Sequence, residues 1–153
     1  MEAITAEQAR RFLDESLVAH IGVISEGSPY VTPMSFVVDD DRILFRTKPG
    51  KRHEAMLENP VVSIEASTFD EETGDWTSVI VRGRAAEAPD DATITLTVHL
   101  LFQKYGTVLG SPLSRGEIQP MASFPHVVQV PIEEITGMTS GGGFAMRTRP
   151  GRL

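Results

Sequence analysis

The stretch Tyr30–Pro60, YVTPMSFVVDDDRILFRTKPGKRHEAMLENP, decides how the rest of the chain is read. Residues 30–38 alternate, with Tyr30, Thr32, Met34, Phe36 and Val38 set against Val31, Pro33, Ser35 and Val37, and residues 42–47 alternate likewise. Period two is the mark of a half-buried strand. Asp39, Asp40 and Asp41 lie between the two runs, so the pair reads as a hairpin. Pro33 sits inside the first run without an amide hydrogen, which predicts an edge strand or a bulge. The second run ends in Arg46-Thr47 and passes through Lys48-Pro49-Gly50 into a helix opened by Lys51, which Asn59-Pro60 stops with Asn59 in a left-handed cap.

The turn at 46–52 supports two readings. Free amides at a helix start, with Arg, Lys and a hydroxyl converging there, suit a phosphate. The alternative is a basic turn that caps a short surface helix.

Outward from this centre, Thr5 with Gln8 forms a capping box. It opens a helix whose Ala9, Phe12, Leu13 and Leu17 share one face, and whose Arg10 and Arg11 face solvent. Strands are predicted over 18–25, 29–38, 42–47, 61–69, 76–87 and 126–130, with 132–136 continuing extended. Gly22 is read as a bulge or close approach, and Gly83 as a corner. Asp90 or Asp91 caps a helix over 91–105, with Ile94, Val98, Leu101, Phe102 and Tyr105 as its apolar stripe. The Gly- and Pro-punctuated loop 106–125 is long enough to be functional. Residues 1–138 read as one domain, and 139–153 as a flexible or dimer-crossing tail.

Composition removes several function classes. The formal net charge is −7, and no basic stripe carries interleaved aromatics, so nucleic acid is not an expected partner. No apolar run reaches the length of a membrane span and the N-terminus lacks an apolar signal segment, so no membrane association is expected. With Cys at 0 there is neither a disulfide framework nor a thiolate nucleophile, which suits a cytoplasmic protein. His20, His53, His99 and His126 fall on different elements with no i, i+4 pair, so no metal site is expected. Neither a nucleophile elbow nor a phosphate-loop or dinucleotide fingerprint is present.

Four pieces, AHIGVISEGSPYVTPMSFVV, RILFRTKPGKR, ENPVVSIE and WTSVIVRGRAAE, in this order and with short spacings, resemble the pyridoxamine 5′-phosphate oxidase-like family of flavin-binding split barrels. The resemblance implies a mainly β fold, a six-stranded antiparallel split barrel with two or three peripheral helices, assembled as a homodimer with the cofactor at the subunit interface. It implies FMN as cofactor, with the deazaflavin F420 as the alternative. By the resemblance, Thr32, Pro33, Met34 and Ser35 line the flavin ring. Arg46 and Thr47 reach its edge or the ribityl phosphate, and Lys51 with Arg52 holds the phosphate. Trp76 stands near the ring, from the same or the partner subunit. The enzymes that oxidise vitamin B6 end in an Arg- and Trp-rich segment, whereas this chain ends in FAMRTRPGRL, so B6 oxidation is not expected. A bound flavin carries its own redox chemistry, so the lack of an evident acid or base is compatible with hydride transfer involving a small conjugated substrate. A non-catalytic flavin-binding or storage protein and a haem-binding relative are the other two classes.

Overall fold

Residues 1–106, 108 and 125–140 are described by the computed structural model. Of the loop expected over 106–125, residues 107 and 109–124 lie outside the described residues, as do residues 141–153 of the expected tail.

The chain runs β1 (Glu2–Ala3), α1 (Ala6–Glu15), β2 (Ala19–Ser25), β3 (Ser28–Met34), β4 (Val37–Asp39), β5 (Arg42–Thr47), α2 (Lys51–Glu58), β6 (Val61–Phe69), β7 (Trp76–Arg84), β8 (Ala86–Glu87), α3 (Asp91–Tyr105), β9 (His126–Pro131) and β10 (Glu134–Thr139). A six-stranded sheet has the order β1-β10-β7-β6-β2-β3, and a four-stranded sheet the order β4-β5-β9-β8. All pairings are antiparallel. The mainly β, split-barrel architecture is the expected one, but the strand count is larger than six. Three of the extra strands arise because one chain path leaves one sheet and enters the other: β3 into β4, β7 into β8, and β9 into β10.

The first of these switches corrects the hairpin expected over 30–47. Residues 30–38 are two strands rather than one. β3 pairs with β2 through the tight Glu26-Gly27 turn, and only β4 pairs with β5. Both turn residues have positive φ (52° and 77°), as a type I′ hairpin requires. β3 is the edge of its sheet, which is where Pro33 belongs.

Breaking a strand at Ser35-Phe36 leaves the Phe36 amide and carbonyl without ladder partners, and α3 supplies them. The Tyr105 hydroxyl accepts from Phe36 N (3.0 Å) and lies 2.8 Å from Leu17 O, while Lys104 Nζ donates to Phe36 O (3.1 Å). These contacts bury Leu101 and Tyr105 as expected and leave Ile94 and Val98 half-buried at the side of the stripe. Thr93, Thr97, Leu101 and Tyr105 are its buried positions, and Phe102 is exposed. Thr97 is tolerated inside because its hydroxyl donates back to Thr93 O.

Gly83 is a close approach, as expected of a corner. A Cβ there would collide with Pro131 O, so β7 and β9 cross in backbone contact at the point where both change sheets. Gly22 is neither bulge nor close approach, because its pairing with Val31 and Ser63 is regular and a Cβ would meet nothing nearer than 3.7 Å. Asn59 is extended (φ −135°) rather than left-handed, since its side chain instead accepts from the Val61 amide.

The core lies between the sheets, with Ile21, Phe36, Ile43, Phe45, Ile64, Val79, Val81 and Val130 fully buried. Each such side chain contributes about 1.5–3 kcal/mol of transfer free energy. The Thr5–Gln8 capping box forms as expected, and Ala9 and Leu13 of α1 join the core. Arg10 is not simply solvated, because Nη1 pairs with Asp41 Oδ1 at 2.6 Å.

Candidate functional site

The basic turn forms where β5, α2 and the edge strand β3 meet. Gly50 takes φ 150° and ψ −169°, a region open in practice only to glycine, and this lets Thr47–Lys48 turn directly into α2. No side chain caps α2, so its first amides have no side-chain acceptor.

Arg52, in the first turn of α2, points inward. Its Nε and Nη2 donate to Thr47 Oγ1 (3.3 and 3.1 Å), and its Nη1 donates to Thr32 Oγ1 (3.1 Å) and Pro33 O (3.4 Å). One guanidinium thus ties β3 of the larger sheet to β5 of the smaller. Its central carbon lies 5.6 Å from the centroid of the Phe45 ring. Among the described residues no carboxylate pairs with it. Burial lowers the pKa of Arg52, partly offset by the nearby Tyr30, and burial alone lowers that of Arg46. A partly desolvated cation held only by hydroxyls and a carbonyl leaves its charge uncompensated, which favours an anion beside it. Lys51 Nζ sits 4.6 Å from the centroid of the Tyr30 ring, at the same corner.

The structure therefore brings together Thr32, Pro33, Thr47 and Arg52 of the expected set, with Lys51 at the same corner but resting on Tyr30. Arg46 is adjacent on β5 and half-buried. Met34 points into the core, and Ser35 is exposed at the strand switch. Trp76 is apart from this group within one chain. Thr32 aligns with Ile21, Ile64 and Val81 across the larger sheet, whereas Trp76 faces Phe69 at the opposite end of β7. A shallow depression of about 370 Å³ lies elsewhere, lined by Glu7, Arg10, Arg11, Asp14, Val38 and Asp40. Its mixed charges include the paired Arg10, and it lies away from the basic turn.

Behind the turn, a group that spacing along the chain did not reveal comes together. His53 Nε2 lies 2.5 Å from Glu87 Oε1 and His126 Nδ1 3.3 Å from the same oxygen, with the imidazoles stacked at 3.9 Å between centroids. The three side chains come from α2, β8 and β9, so no local motif could signal them. The pairing of β9 with β5, the strand that leads into α2, carries His126 to His53.

Residues 5–139 match the family described as pyridoxamine 5′-phosphate oxidase. The solved structures similar over nearly the whole chain include two named for FAD binding. The FAD-binding protein from Mycobacterium smegmatis is 26% identical, with a TM-score of 0.66 over 91% of this chain and 98% of that one. A FAD-binding protein from Mesorhizobium loti is 24% identical, with a TM-score of 0.70 over 89% of this chain and 93% of that one. An uncharacterised protein of Rhizobium meliloti (strain 1021) is 25% identical over 89 residues, 58% of each chain. This chain thus matches a little over half the length of that curated relative.

Proposed function

Because the chain belongs to the pyridoxamine 5′-phosphate oxidase family, we propose that it binds a flavin nucleotide, FMN in the first instance, and acts as an oxidoreductase. Hydride would pass to or from a small conjugated substrate. The observation that carries the reading is Arg52, a partly buried guanidinium anchored by Thr47, Thr32 and Pro33 O, with no carboxylate partner among the described residues. It stands beside uncapped helix amides and Lys51, a donor set that fits a phosphate. The 26%-identical protein of Mycobacterium smegmatis, named for FAD binding, supports a flavin as the phosphate's bearer. FMN and FAD share the phosphate attached to the ribityl chain, so one cradle serves either.

When bound, the flavin supplies the redox chemistry. The chain's residues bind and orient it. Arg52 and Lys51 fix the phosphate end. Arg46 and Thr47 lie next along β5, and the edge strand β3 offers Thr32 and the backbone around Pro33 to the ring, with Ser35 just beyond its end. We propose further that a second copy of the chain completes the site and that Trp76 reaches the ring from that copy, since within one chain it is remote from Arg52.

Titration of the pure protein with FMN, FAD, riboflavin and F420, followed by flavin fluorescence, tests binding. Anaerobic mixing with NADH, NADPH or reduced F420, followed at the visible flavin band, tests turnover. Tight FMN binding with reduction by one donor supports the proposal. Failure to bind any flavin overturns it, and binding without reduction by any donor, or reoxidation by any quinone or nitro compound, leaves a flavin-binding protein without turnover.

A further inference from the structure

The geometry points to a divalent transition-metal site, of the zinc class, formed by His53, Glu87 and His126. Two imidazole nitrogens converge on one carboxylate oxygen, at 2.5 and 3.3 Å, and the ligand atoms of all three residues lie within 4.8 Å of one another. Nitrogen and oxygen ligands at the 2.0–2.2 Å bonds of tetrahedral zinc are about 3.3 Å apart. One observed spacing, 3.3 Å, matches that value, one is shorter at 2.5 Å and the third is no more than 4.8 Å, so side-chain adjustments of about 1–1.5 Å around the ion suffice. Two imidazoles and a carboxylate, with no sulfur, suit zinc and its neighbours rather than calcium or magnesium, which take oxygen sets.

Access and rigidity both fit. His53 is buried in the first turn of α2, and its ring stacks on His126 with 23° between the planes. Glu87 is 44% exposed and His126 32%, so an ion can enter from solvent and water can complete its coordination. Glu87 belongs to β8, a two-residue edge strand held only by β9. A metal here would clamp that short strand and the start of α2 onto β9, a cross-link that two ladder residues cannot supply. The inference stands apart from the flavin reading, because none of its three ligands is placed in the phosphate cradle.

The test uses tag-free, full-length protein stripped with EDTA. Cobalt(II) is titrated in and followed by its visible d–d bands, then displaced with zinc. Thermal unfolding is recorded with and without zinc. We expect one cobalt per chain, displaced by zinc, and a Tm about 5–10 °C higher at a hundredfold excess over Kd. Glu87→Gln and His126→Ala, both at solvent-accessible positions, should weaken binding by at least about tenfold, the lower bound seen when only an outer-shell partner is lost. His20→Ala and His99→Ala should leave it unchanged. These four variants decide the matter without His53→Ala, whose burial makes it the one most prone to misfold. Absence of cobalt bands and of any Tm shift at millimolar zinc overturns the proposal. So does binding that survives both Glu87→Gln and His126→Ala.

Discussion

Arg52 carries more than one duty. Its guanidinium crosses from α2 to both sheets, and the same contacts aim it at the proposed phosphate. Thr47, 1% exposed, accepts two of its hydrogen bonds, so it sets the orientation. Thr47→Val keeps the shape and removes that acceptor. Leaving a buried donor unsatisfied costs about 1–3 kcal/mol, and water reaches the partly buried guanidinium, so urea denaturation should show a loss of about 1 kcal/mol. FMN affinity should fall in the same variant while riboflavin affinity holds. Equal loss for both ligands would mean that Thr47 supports the fold alone. Lys51 is a different case, because its ammonium rests on Tyr30 rather than in the cluster. Lys51→Ala should weaken FMN less than a change at Arg52 does.

Among elements, the sheet switch at Ser35-Phe36 depends on α3. Tyr105→Phe removes a hydroxyl 3.0 Å from Phe36 N and 2.8 Å from Leu17 O, and should destabilise by about 1–3 kcal/mol in urea. An unchanged midpoint would show that water replaces the phenol. Gly83→Ala should be worse, since Pro131 O is backbone and cannot swing aside from an added Cβ. Loss of cooperative unfolding, or a Tm lower by several degrees, is the expected result. The sequence made part of this legible. Period two located the strand runs, and Thr5-x-x-Gln8 located a helix start because both capping bonds are local. The switch itself was hidden. Met34 and Phe36 are both buried and Pro33 and Ser35 both exposed, so the alternation runs straight through the break. The α3 stripe is legible at Leu101 and Tyr105 but not at Thr93, Thr97 and Phe102, because hydrophobicity ranks Ile94 and Phe102 above the threonines, whereas tertiary contacts at Leu101 and Tyr105 set the face. Of the site, the local run from Thr47 to Arg52 could be read directly. The reach of Arg52 to Thr32, and the meeting of His53 with Glu87 and His126, are products of folding.

At the scale of the whole molecule, the outer face of the larger sheet exposes Ile24, Val31, Val61 and Ile80. Register places them on one side, since His20, Gly22 and Ile24 face the same way as Val31, Ser63 and Arg82. Apolar side chains gathered on one sheet face suit a second copy of the chain, and two-fold dimers are the commonest assembly. Sedimentation equilibrium at micromolar concentration should return twice the chain mass. Val31→Glu on this face should shift the protein toward monomer, whereas a wild-type protein that is monomeric throughout would contradict the proposed shared site. Among the described residues no helix is long and apolar enough to cross a membrane.

The proposed role of Arg52 as phosphate anchor is tested most directly by a thermodynamic cycle of FMN and riboflavin binding to the wild type and to Arg52→Ala. A charge-assisted hydrogen bond is worth about 1.5–3 kcal/mol, so the wild type should prefer FMN to riboflavin by roughly ten- to a hundredfold. Arg52→Ala should cut that preference about tenfold or more, leaving what Lys51 and the α2 amides supply, while still binding riboflavin, which also reports that the variant is folded. An FMN preference undiminished in Arg52→Ala would contradict the assignment of the phosphate to this turn.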